Sequence, residues 1–441
     1  MRPSWWKTAG LVAAAFAGGA VFSSRGAHAT TEAANPYGPL SQLAKVLVLV
    51  ENQYVEPASR DKLTEGAIKG MVAELDPHSA YLPPSEYSVF RGETEGKFGG
   101  VGVEVDFRND VVTVVSPIEG SPAAKAGIKP GDQIVAIDGK PMRGERLDKL
   151  VGLMRGTPGS TVVVWVRRQG NPDTLSFSLI REIIHVTSVV PKRLVKDVAY
   201  VRLKQFQEGT HTELLQAAAK IRSESKAPLA GVILDLRNNP GGLVDEAESV
   251  ADEFLSSGTI YTTRHRGKII DEAKAHSGGA FADIPVVALV NEFSASSSEL
   301  VAGALQDNHR ATILGANTFG KGSVQTIFEL PGGAGMRLTT MRYYTPSGRS
   351  IQAEGIRPDI LIQPKEPPQL GEIVRERDLE GHLPAEGLKP APSKQIVAAP
   401  KPEEDAPEGV TEVPTDPLTG KDFGLSLAYK TLLEAIAKKA K

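Results

Sequence analysis

Two short apolar runs, each followed by a turn and a helical pattern, constrain the fold of this chain more than any other feature. Residues 229–236 and 284–290 have the length of strands and few polar side chains, which is typical of strands buried on both faces. Similar patterns surround them, with strands at 198–203, 311–315 and 323–330 and helices at 210–221, 243–254 and 296–305. Because strands and helices alternate, the range 184–364 is predicted to form an α/β body around a largely parallel sheet.

Composition excludes several classes of function. The chain has 441 residues, enough for about two to three domains. The formal net charge is −3 without a long basic run, which argues against nucleic acid as a partner. The absence of cysteine excludes thiol catalysis, zinc–thiolate sites and disulfides. No His-Glu-x-x-His motif or clustered ligand set occurs, so no metal or other cofactor is predicted.

The first residues have the layout of an export signal. Arg2 and Lys7 precede an apolar run at 9–22, and the small-residue site Ala27-His28-Ala29 follows. This pattern predicts a signal peptide at 1–29 and export to the periplasm. An uncleaved segment that associates the chain with the membrane is the alternative interpretation.

Two helical stripes follow in the range 37–96, which is predicted to be an N-terminal helical region. Leu40, Leu43 and Leu47 begin the first stripe, and Leu63 and Met71 lie on the second. Such stripes are typical of an amphipathic hairpin that packs on the main body, and equally of a helix-helix seam that joins two copies.

The range 97–183 changes to short strands separated by glycine turns. The stretch Ala-Gly-Ile-Lys-Pro-Gly-Asp at 126–132 resembles a PDZ domain, a fold that binds peptide C-termini. Glycines near its start let backbone N–H groups meet a terminal carboxylate, while an exposed strand edge accepts the peptide as an extra strand. The predicted peptide-binding residues are Val101, Gly102, Val103, Leu147, Val151 and Met154. A purely structural β-module is the alternative.

Arg155 ends the helix that carries three of these residues. A cation at this position can simply complement the helix dipole. It can also bind the substrate carboxylate or the catalytic body through charge-assisted hydrogen bonds, so both roles remain open.

Beyond residue 364 the composition changes again. The range 365–418 is rich in proline and glutamate and is predicted to be a linker or disordered tail. Leu425, Ala428 and Leu432 then lie at helical spacing, which predicts a C-terminal helix at 419–441. An isolated short helix is marginal in water, so a docked or partner-binding helix is expected.

A glycine turn follows the buried strand at 229–236. Its sequence, Arg237-Asn238-Asn239-Pro240-Gly241-Gly242, places two glycines just before a helical pattern. Backbone N–H groups exposed there suit a developing oxyanion. A plain strand-to-helix turn would look the same.

A serine cluster follows the second buried strand, with four serines in the range 294–298. One serine at a helix start is usually an N-cap, but four cannot all be caps. No histidine lies in a recognisable triad context, which leaves lysine as the base for a serine nucleophile. Lys321 lies in a glycine-flanked turn, and Gln325 can orient its amine without the charge of a carboxylate. To work near neutral pH, the lysine pKa must fall by about three units.

Several motifs, in order, resemble those of the carboxy-terminal processing peptidases, the tail-specific serine proteases with a PDZ domain. They are Leu-Asp-Pro-His-Ser-Ala-Tyr-Leu at 75–82, the PDZ-like unit, the 237–242 turn, the serine cluster and Thr-Phe-Gly-Lys-Gly-Ser-Val-Gln at 318–325. The resemblance spans about residues 40 to 362. It implies an α/β crotonase-like serine protease body with an inserted β-rich PDZ domain and an N-terminal helical region.

The same resemblance implies roles for individual residues. Ser296 would be the nucleophile, Lys321 the general base and Gln325 the residue that orients the lysine. The amides of Gly242 and Ser297 would form the oxyanion hole, with Gly241 as the alternate. One departure concerns the serine cluster, where Ser297 replaces an alanine of the family pattern and Ser298 therefore stays a candidate.

The resemblance predicts a serine endopeptidase of the cell envelope that recognises protein C-terminal tails through its PDZ domain and cleaves with a Ser-Lys dyad. The expected partners are protein or peptide substrates with accessible C-termini, an activating protein and a second copy of the chain. A non-catalytic PDZ adaptor that only binds tails is the first alternative, and a crotonase-type acyl-coenzyme A enzyme is the second.

Overall fold

A computed structural model describes residues 37–108, 111–145, 147–224, 227–363, 373–386, 392–399 and 413–439. The predicted signal peptide at 1–29 and much of the predicted linker lie outside these residues. Within them, no helix combines the length and apolar character needed to cross a bilayer.

Helices and strands are mixed along most of the chain. The helices are α1 (Gly38–Gln53), α2 (Arg60–Ala73), α3 (Pro84–Thr94), α4 (Pro122–Ala126), α5 (Leu147–Met154), α6 (Thr210–Ser223), α7 (Val244–Asp252), α8 (Ser297–Asp307) and α9 (Phe423–Lys439). The first strands are β1 (Ala80–Leu82), β2 (Lys97–Gly100), β3 (Val103–Arg108), β4 (Val111–Pro117), β5 (Gln133–Ile137), β6 (Lys140–Pro141), β7 (Thr161–Arg167), β8 (Leu175–Ile180), β9 (Glu182–His185) and β10 (Val189–Leu194). The remaining strands are β11 (Val198–Leu203), β12 (Gly231–Asp235), β13 (Thr259–His265), β14 (Lys268–Lys274), β15 (Val286–Val290), β16 (Ala311–Gly315), β17 (Ser323–Glu329), β18 (Gly335–Tyr344), β19 (Ile360–Gln363) and β20 (Gln395–Ala398).

The chain divides into two units, residues 1–70 and 71–441. In the first, no residue of α1 is buried, and its apolar side chains are exposed: Leu40, Leu43, Val46 and Leu49 each exceed 40% exposure. The turn that follows is closed by Arg60, which donates two hydrogen bonds to the Glu51 carboxylate.

A seven-stranded sheet organises the second unit. Its order is β10-β11-β12-β15-β16-β19-β20, and every pair is parallel except β10 with β11. All residues of β12 and β15 are buried, which explains the uninterrupted apolar runs. The largely parallel sheet agrees with the prediction from these runs.

Both faces of this sheet are covered by helices. Ala199 and Val201 face a core that also contains side chains of α6, α7 and α8. The alternate residues Val198 and Tyr200 face a second core, built with Leu425, Ala428, Tyr429 and Leu432 of α9. Alternate side chains of β11 therefore point into the two cores on opposite faces of the sheet. The C-terminal helix α9 is docked on one of these faces.

The segment predicted as a linker contains ordered structure. Strand β20 extends the large sheet in parallel with β19. Glu376, in the described range 373–386, is fully buried. These contacts could not be predicted from the proline-rich composition. The segment has no apolar stripe and is held in place by single polar side chains and one short edge strand.

A second sheet is built around the ten-residue strand β18. This strand pairs with β17, with β1 and with β13, whose other neighbour is β14. The range 37–96 is thus not wholly helical, since β1 belongs to a sheet of the main body. Strand β1 is only three residues long, which is too short for an alternating pattern to be recognised in the sequence.

The PDZ-like region has a sheet and a core of its own. The strand order is β3-β4-β5-β7-β8, with β6 on β5, so β3 lies at an edge. Met154 is buried in this core and only 5% exposed, so it does not line an open pocket as predicted. Val101, which was predicted to contribute its backbone N–H, is 2% exposed. Val103 and Val151 are half-buried, and Gly102 has a positive φ of 74°. The side chain of Leu147 lies outside the described part.

Candidate active site

Ser296 occupies the turn between β15 and α8 in a rare backbone conformation. Its φ of 54° and ψ of −117° belong to a region that residues with a Cβ seldom adopt. The Ser296 N–H donates a 2.8 Å hydrogen bond to the Glu299 carboxylate, which helps to hold this conformation. Strain of this kind is concentrated at functional sites.

The other serines of the cluster donate their hydroxyl groups to backbone carbonyl oxygens. Ser294 bonds Leu236 O at 2.8 Å and Ser297 bonds Gly242 O at 2.8 Å. Ser298, which stayed a candidate, bonds Asn239 O at 2.9 Å and is fully buried. These three serines tie the turn to the 236–242 segment, whereas Ser296 lines a cavity.

The cavity has a volume of about 470 Å³ and brings together residues from distant parts of the sequence. Gly241, Gly242, Ser296, Lys321 and Gln325 all line it. Helix α3 closes another side. The structure therefore gathers the predicted nucleophile, base and orienting amide in one site.

The buried carboxylate of Glu299 joins the serine turn to the lysine loop. Besides the Ser296 N–H, it accepts hydrogen bonds from the amides of Gly320 at 2.7 Å and Lys321 at 2.9 Å. The Thr318 hydroxyl is a fourth donor. Burial raises the pKa of Glu299 to about 7, although these four donors oppose the rise. One side chain thus fixes the backbone on both sides of the site.

A second buried side chain holds the next amide of the lysine loop. Gln352 accepts a 3.0 Å hydrogen bond from the Gly322 N–H and donates to Glu376 at 2.8 Å. The other oxygen of Glu376 lies 2.7 Å from Nε2 of His78. Three successive amides, those of residues 320–322, are therefore bound by buried side chains.

The amine of Lys321 makes no hydrogen bond or ion pair with any described residue. Its pKa is lowered to about 8: burial is the largest cause, the charge of Arg337 acts in the same direction, and Glu376, Glu299 and Asp76 oppose the shift. The direction of the shift is the one a lysine base requires.

Gln325 lies on β17, next to the lysine loop. Its amide NH₂ group donates to the Ser323 hydroxyl at 2.9 Å and to Thr339 Oγ1 at 3.3 Å. With its donors engaged, the amide oxygen is the group that can accept a hydrogen bond from an amine.

Two backbone amides near Ser296 are suited to bind an oxyanion. Those of Gly242 and Ser297 donate no hydrogen bond to any residue that the structure describes. The amide of Gly241 instead donates to Asn239 Oδ1 at 2.9 Å, so the alternate donor is already engaged. A Cβ at Gly241, where φ is 99°, would lie 2.8 Å from the Ser296 Cβ, which explains the glycine.

Several residues of the site were not predicted. Asn239 lies within the quoted turn at 237–242, and Glu299 directly follows the serine cluster. Their polarity in buried turns was the available signal. Arg337 and Glu376 had none, since they come from a long strand and from a proline-rich segment.

Arg155 lies away from the cavity, against helix α3. It donates a 2.9 Å hydrogen bond to Glu93, and its guanidinium is 4.8 Å from the centroid of the Phe98 ring. These contacts join Arg155 to α3 and β2, and none of them is to the predicted catalytic body at 184–364.

Within the described residues, no three His, Asp or Glu side chains are grouped so as to hold a metal ion.

Comparisons with known proteins assign these regions to families. Residues 197–362 match peptidase family S41, residues 113–168 match the PDZ domain, and residues 15–84 match the activating protease CtpB N-terminal domain.

Individual relatives cover most of the chain. A carboxy-terminal-processing protease of Bartonella bacilliformis is 43% identical over 80% of this chain and 82% of its own length. A probable CtpA-like serine protease of Staphylococcus aureus is 39% identical over 73% of this chain and 64% of its own length. A solved structure described as a photosystem II D1 C-terminal processing protease has a TM-score of 0.45 and 32% identity, over 78% of this chain and 91% of that one.

Proposed function

Because the chain belongs to the carboxy-terminal-processing proteases and is a serine-type peptidase, we propose that it cleaves protein tails with a Ser296–Lys321 dyad. The observation that carries this proposal is the arrangement of Ser296 and Lys321 in one cavity. Ser296 is held in a strained turn, and the amine of Lys321, which pairs with no residue that the structure describes, has a lowered pKa.

The geometry supports a two-step reaction. The neutral amine of Lys321 removes the proton of the Ser296 hydroxyl, whose oxygen attacks the scissile carbonyl carbon. The amides of Gly242 and Ser297 stabilise the oxyanion, and Lys321 returns the proton to the leaving amine. Water then hydrolyses the acyl-enzyme, with the same lysine as base. Gln325 orients the amine throughout.

The PDZ domain, proposed to span 97–183, would bring the tail to the protease body at 184–364. Strand β3 is at the edge of its sheet and can accept a peptide as an additional strand. Of the predicted peptide-binding residues, Val103 and Val151 are half-buried and remain partly accessible, whereas Gly102 is buried. A crotonase-like arrangement of the body is consistent with a parallel sheet between helical layers.

Location and assembly are parts of the same proposal. The export pattern at 1–29 supports action in the periplasm or at the membrane. The exposed apolar side chains of α1 support a homodimer through this helix, since such a stripe is stabilised when a second copy covers it. An activating partner protein is also expected.

Two substitutions test the dyad. We expect Ser296→Ala and Lys321→Ala each to reduce cleavage of a reporter with an apolar C-terminal tail by about 10³-fold or more, because the nucleophile or its base is lost. Ser298→Ala is the matched control and should keep most activity, since its hydroxyl bonds only the Asn239 carbonyl.

The measurement is steady-state cleavage of the tailed reporter, alongside binding of the same tail. Near-normal turnover by either dyad variant would refute the assignment. Tail binding without turnover in the unmodified protein would instead indicate a PDZ adaptor.

A further inference from the structure

Besides Lys321, the cavity contains a second cationic side chain, Arg337. It lies on β18, directly opposite Ile327 of β17. Thr339, two residues further along β18, receives a hydrogen bond from Gln325. Since residues two apart on a strand share a face, Arg337 is on the face that carries the orienting amide.

The guanidinium of Arg337 is fixed by contacts that leave its charge directed at the cavity. Its Nε donates a 2.9 Å hydrogen bond to the carbonyl of His78. Its carbon Cζ is 5.8 Å from the centroid of the Phe90 ring, on α3. Within the described residues no carboxylate forms an ion pair with it, although the charge of Asp76 lies near enough to act on it. An arginine stays charged when partly buried, because its guanidinium is weakly hydrated and strongly basic.

The carboxylates that face Lys321 are, by contrast, already engaged. Glu299 on α8 binds four donors, and Glu376 binds His78 and Gln352. Asp76 accepts bonds from Ser79 and Thr339.

The remaining acid on the cavity wall is Glu93 of α3, which pairs with Arg155 of the PDZ-like region. Arg337 is thus the cation in this cavity that can repel a positive charge on Lys321.

We propose that Arg337 is a positioning residue for catalysis, the fixed cation that keeps the amine of Lys321 uncharged. This inference rests on the proposed Ser296–Lys321 dyad. Two like charges in one partly buried cavity disfavour the ammonium form. Burial of Lys321 already disfavours its ammonium form, and the charge of Arg337 acts in the same direction. The carboxylates of Glu376, Glu299 and Asp76 favour the ammonium form and so oppose both effects.

A merely structural role for Arg337 makes a different prediction. If the side chain only ties β18 to His78, its loss would lower activity by the same factor at every pH. If it sets the protonation of Lys321, its loss would change where on the pH scale activity begins.

The experiment measures kcat/KM for the tailed reporter against pH in the full chain. On the acid limb of this profile, activity falls with pH because Lys321 becomes protonated. We expect Arg337→Gln to move this limb to higher pH by about half a pH unit or more, because loss of a nearby positive charge favours the ammonium form of Lys321. Activity on the alkaline plateau should stay within about threefold of the unmodified enzyme, with KM unchanged. Arg337→Lys should restore the original limb, since it retains the charge.

A second variant tests the same balance with the opposite sign. Glu376→Gln removes a negative charge near the amine and should move the limb to lower pH. Arg193→Gln is the matched control, because Arg193 pairs with Asp197 away from the cavity and its loss should leave the limb in place.

Three results would overturn the proposal. In the first, Arg337→Gln loses the same factor of activity at every pH and its acid limb does not move. In the second, Arg337→Gln has a raised KM on the alkaline plateau. In the third, Arg337→Gln and Glu376→Gln move the acid limb in the same direction. Failure of the dyad itself would look different, since Lys321→Ala would then retain activity while the unmodified enzyme still cleaves.

Discussion

At the scale of single residues, the site depends on buried side chains that restrain the backbone. Glu299 binds the amide of Ser296 and the amides of Gly320 and Lys321, so nucleophile and base are fixed by one carboxylate. Gln352 extends the same restraint to Gly322. Such restraint holds reacting groups in place before substrate arrives, which lowers the entropic cost of reaching the transition state.

The lowered pKa of Lys321 gives a pH prediction. The amine must be neutral to accept the serine proton, and it becomes charged as pH falls through its pKa of about 8. We therefore expect kcat/KM to rise with an acid limb near pH 8 and to lose about tenfold per pH unit below it.

The measurement is kcat/KM for the tailed reporter between about pH 5.5 and 9.5. Lys321→Arg should be inactive throughout, because a guanidinium does not deprotonate in this range. A limb near pH 6.5, where histidine titrates, would contradict a lysine base.

The backbone of Ser296 gives a stability prediction. Its φ of 54° and ψ of −117° strain any residue with a Cβ, but not glycine. Both Ser296→Gly and Ser296→Ala should be inactive, yet the glycine variant should be more stable by about 1 kcal/mol after its greater unfolded-state entropy is included. Urea unfolding of the two variants, compared directly, measures this difference; equal stability would mean that the turn carries no strain.

Sequence motifs made Ser296, Lys321 and Gln325 predictable as candidates, because their residue types fit only one kind of nucleophile and base. The partners that hold them were less accessible. Glu376 and His78 are separated by 298 positions in sequence, and no local pattern links them. Ser298 could not be separated from Ser296 without the hydrogen bond that occupies its hydroxyl.

At the scale of elements, helix α9 supports the turn that contributes Gly242. Arg237, at the start of that turn, makes two hydrogen bonds to the Asp422 carboxylate, at 3.0 and 2.8 Å. Asp422 also accepts a 2.9 Å bond from the Leu425 N–H in the first turn of α9. The helical stripe predicted α9 itself, but its ion pair with a loop 185 positions away could not be predicted from periodicity.

Asp422→Ala tests this support. We expect the loss of a helix cap and of the Arg237 partner to destabilise the protein by about 2–4 kcal/mol and to reduce turnover, since the oxyanion turn loses an anchor. Glu434→Ala, at an exposed position of the same helix, is the matched control.

Thermal unfolding at several pH values measures the effect of this substitution. Burial raises the pKa of Asp422, but Arg237 and two amides outweigh it, so the pKa is lowered. The contribution of Asp422 is thus present above the ordinary aspartate pKa and is lost as pH falls through its lowered value. A pH-independent difference between variant and parent would contradict the ion pair.

At the scale of the whole molecule, the site lies where two sheets of the protease body supply different components. The turns after β12 and β15, at the carboxyl ends of parallel strands, supply Gly242 and Ser296, as is usual for such sheets. Lys321 comes instead from the approach to β17 and Gln325 from β17 itself, in the sheet around β18. The parallel sheet was predictable from its apolar runs. The second sheet was not, because its strands are mostly half-exposed and because β1 and β13 pair with β18 across long sequence separations.

The partly buried amine at position 321 also determines what fraction of the enzyme is reactive at a given pH. At neutral pH only about a tenth of molecules would hold it in the reactive form at any instant. The acid–base equilibrium of one side chain thus limits how much of the enzyme can react at neutral pH. A modest rise in pH would therefore increase the fraction of enzyme that is ready to react.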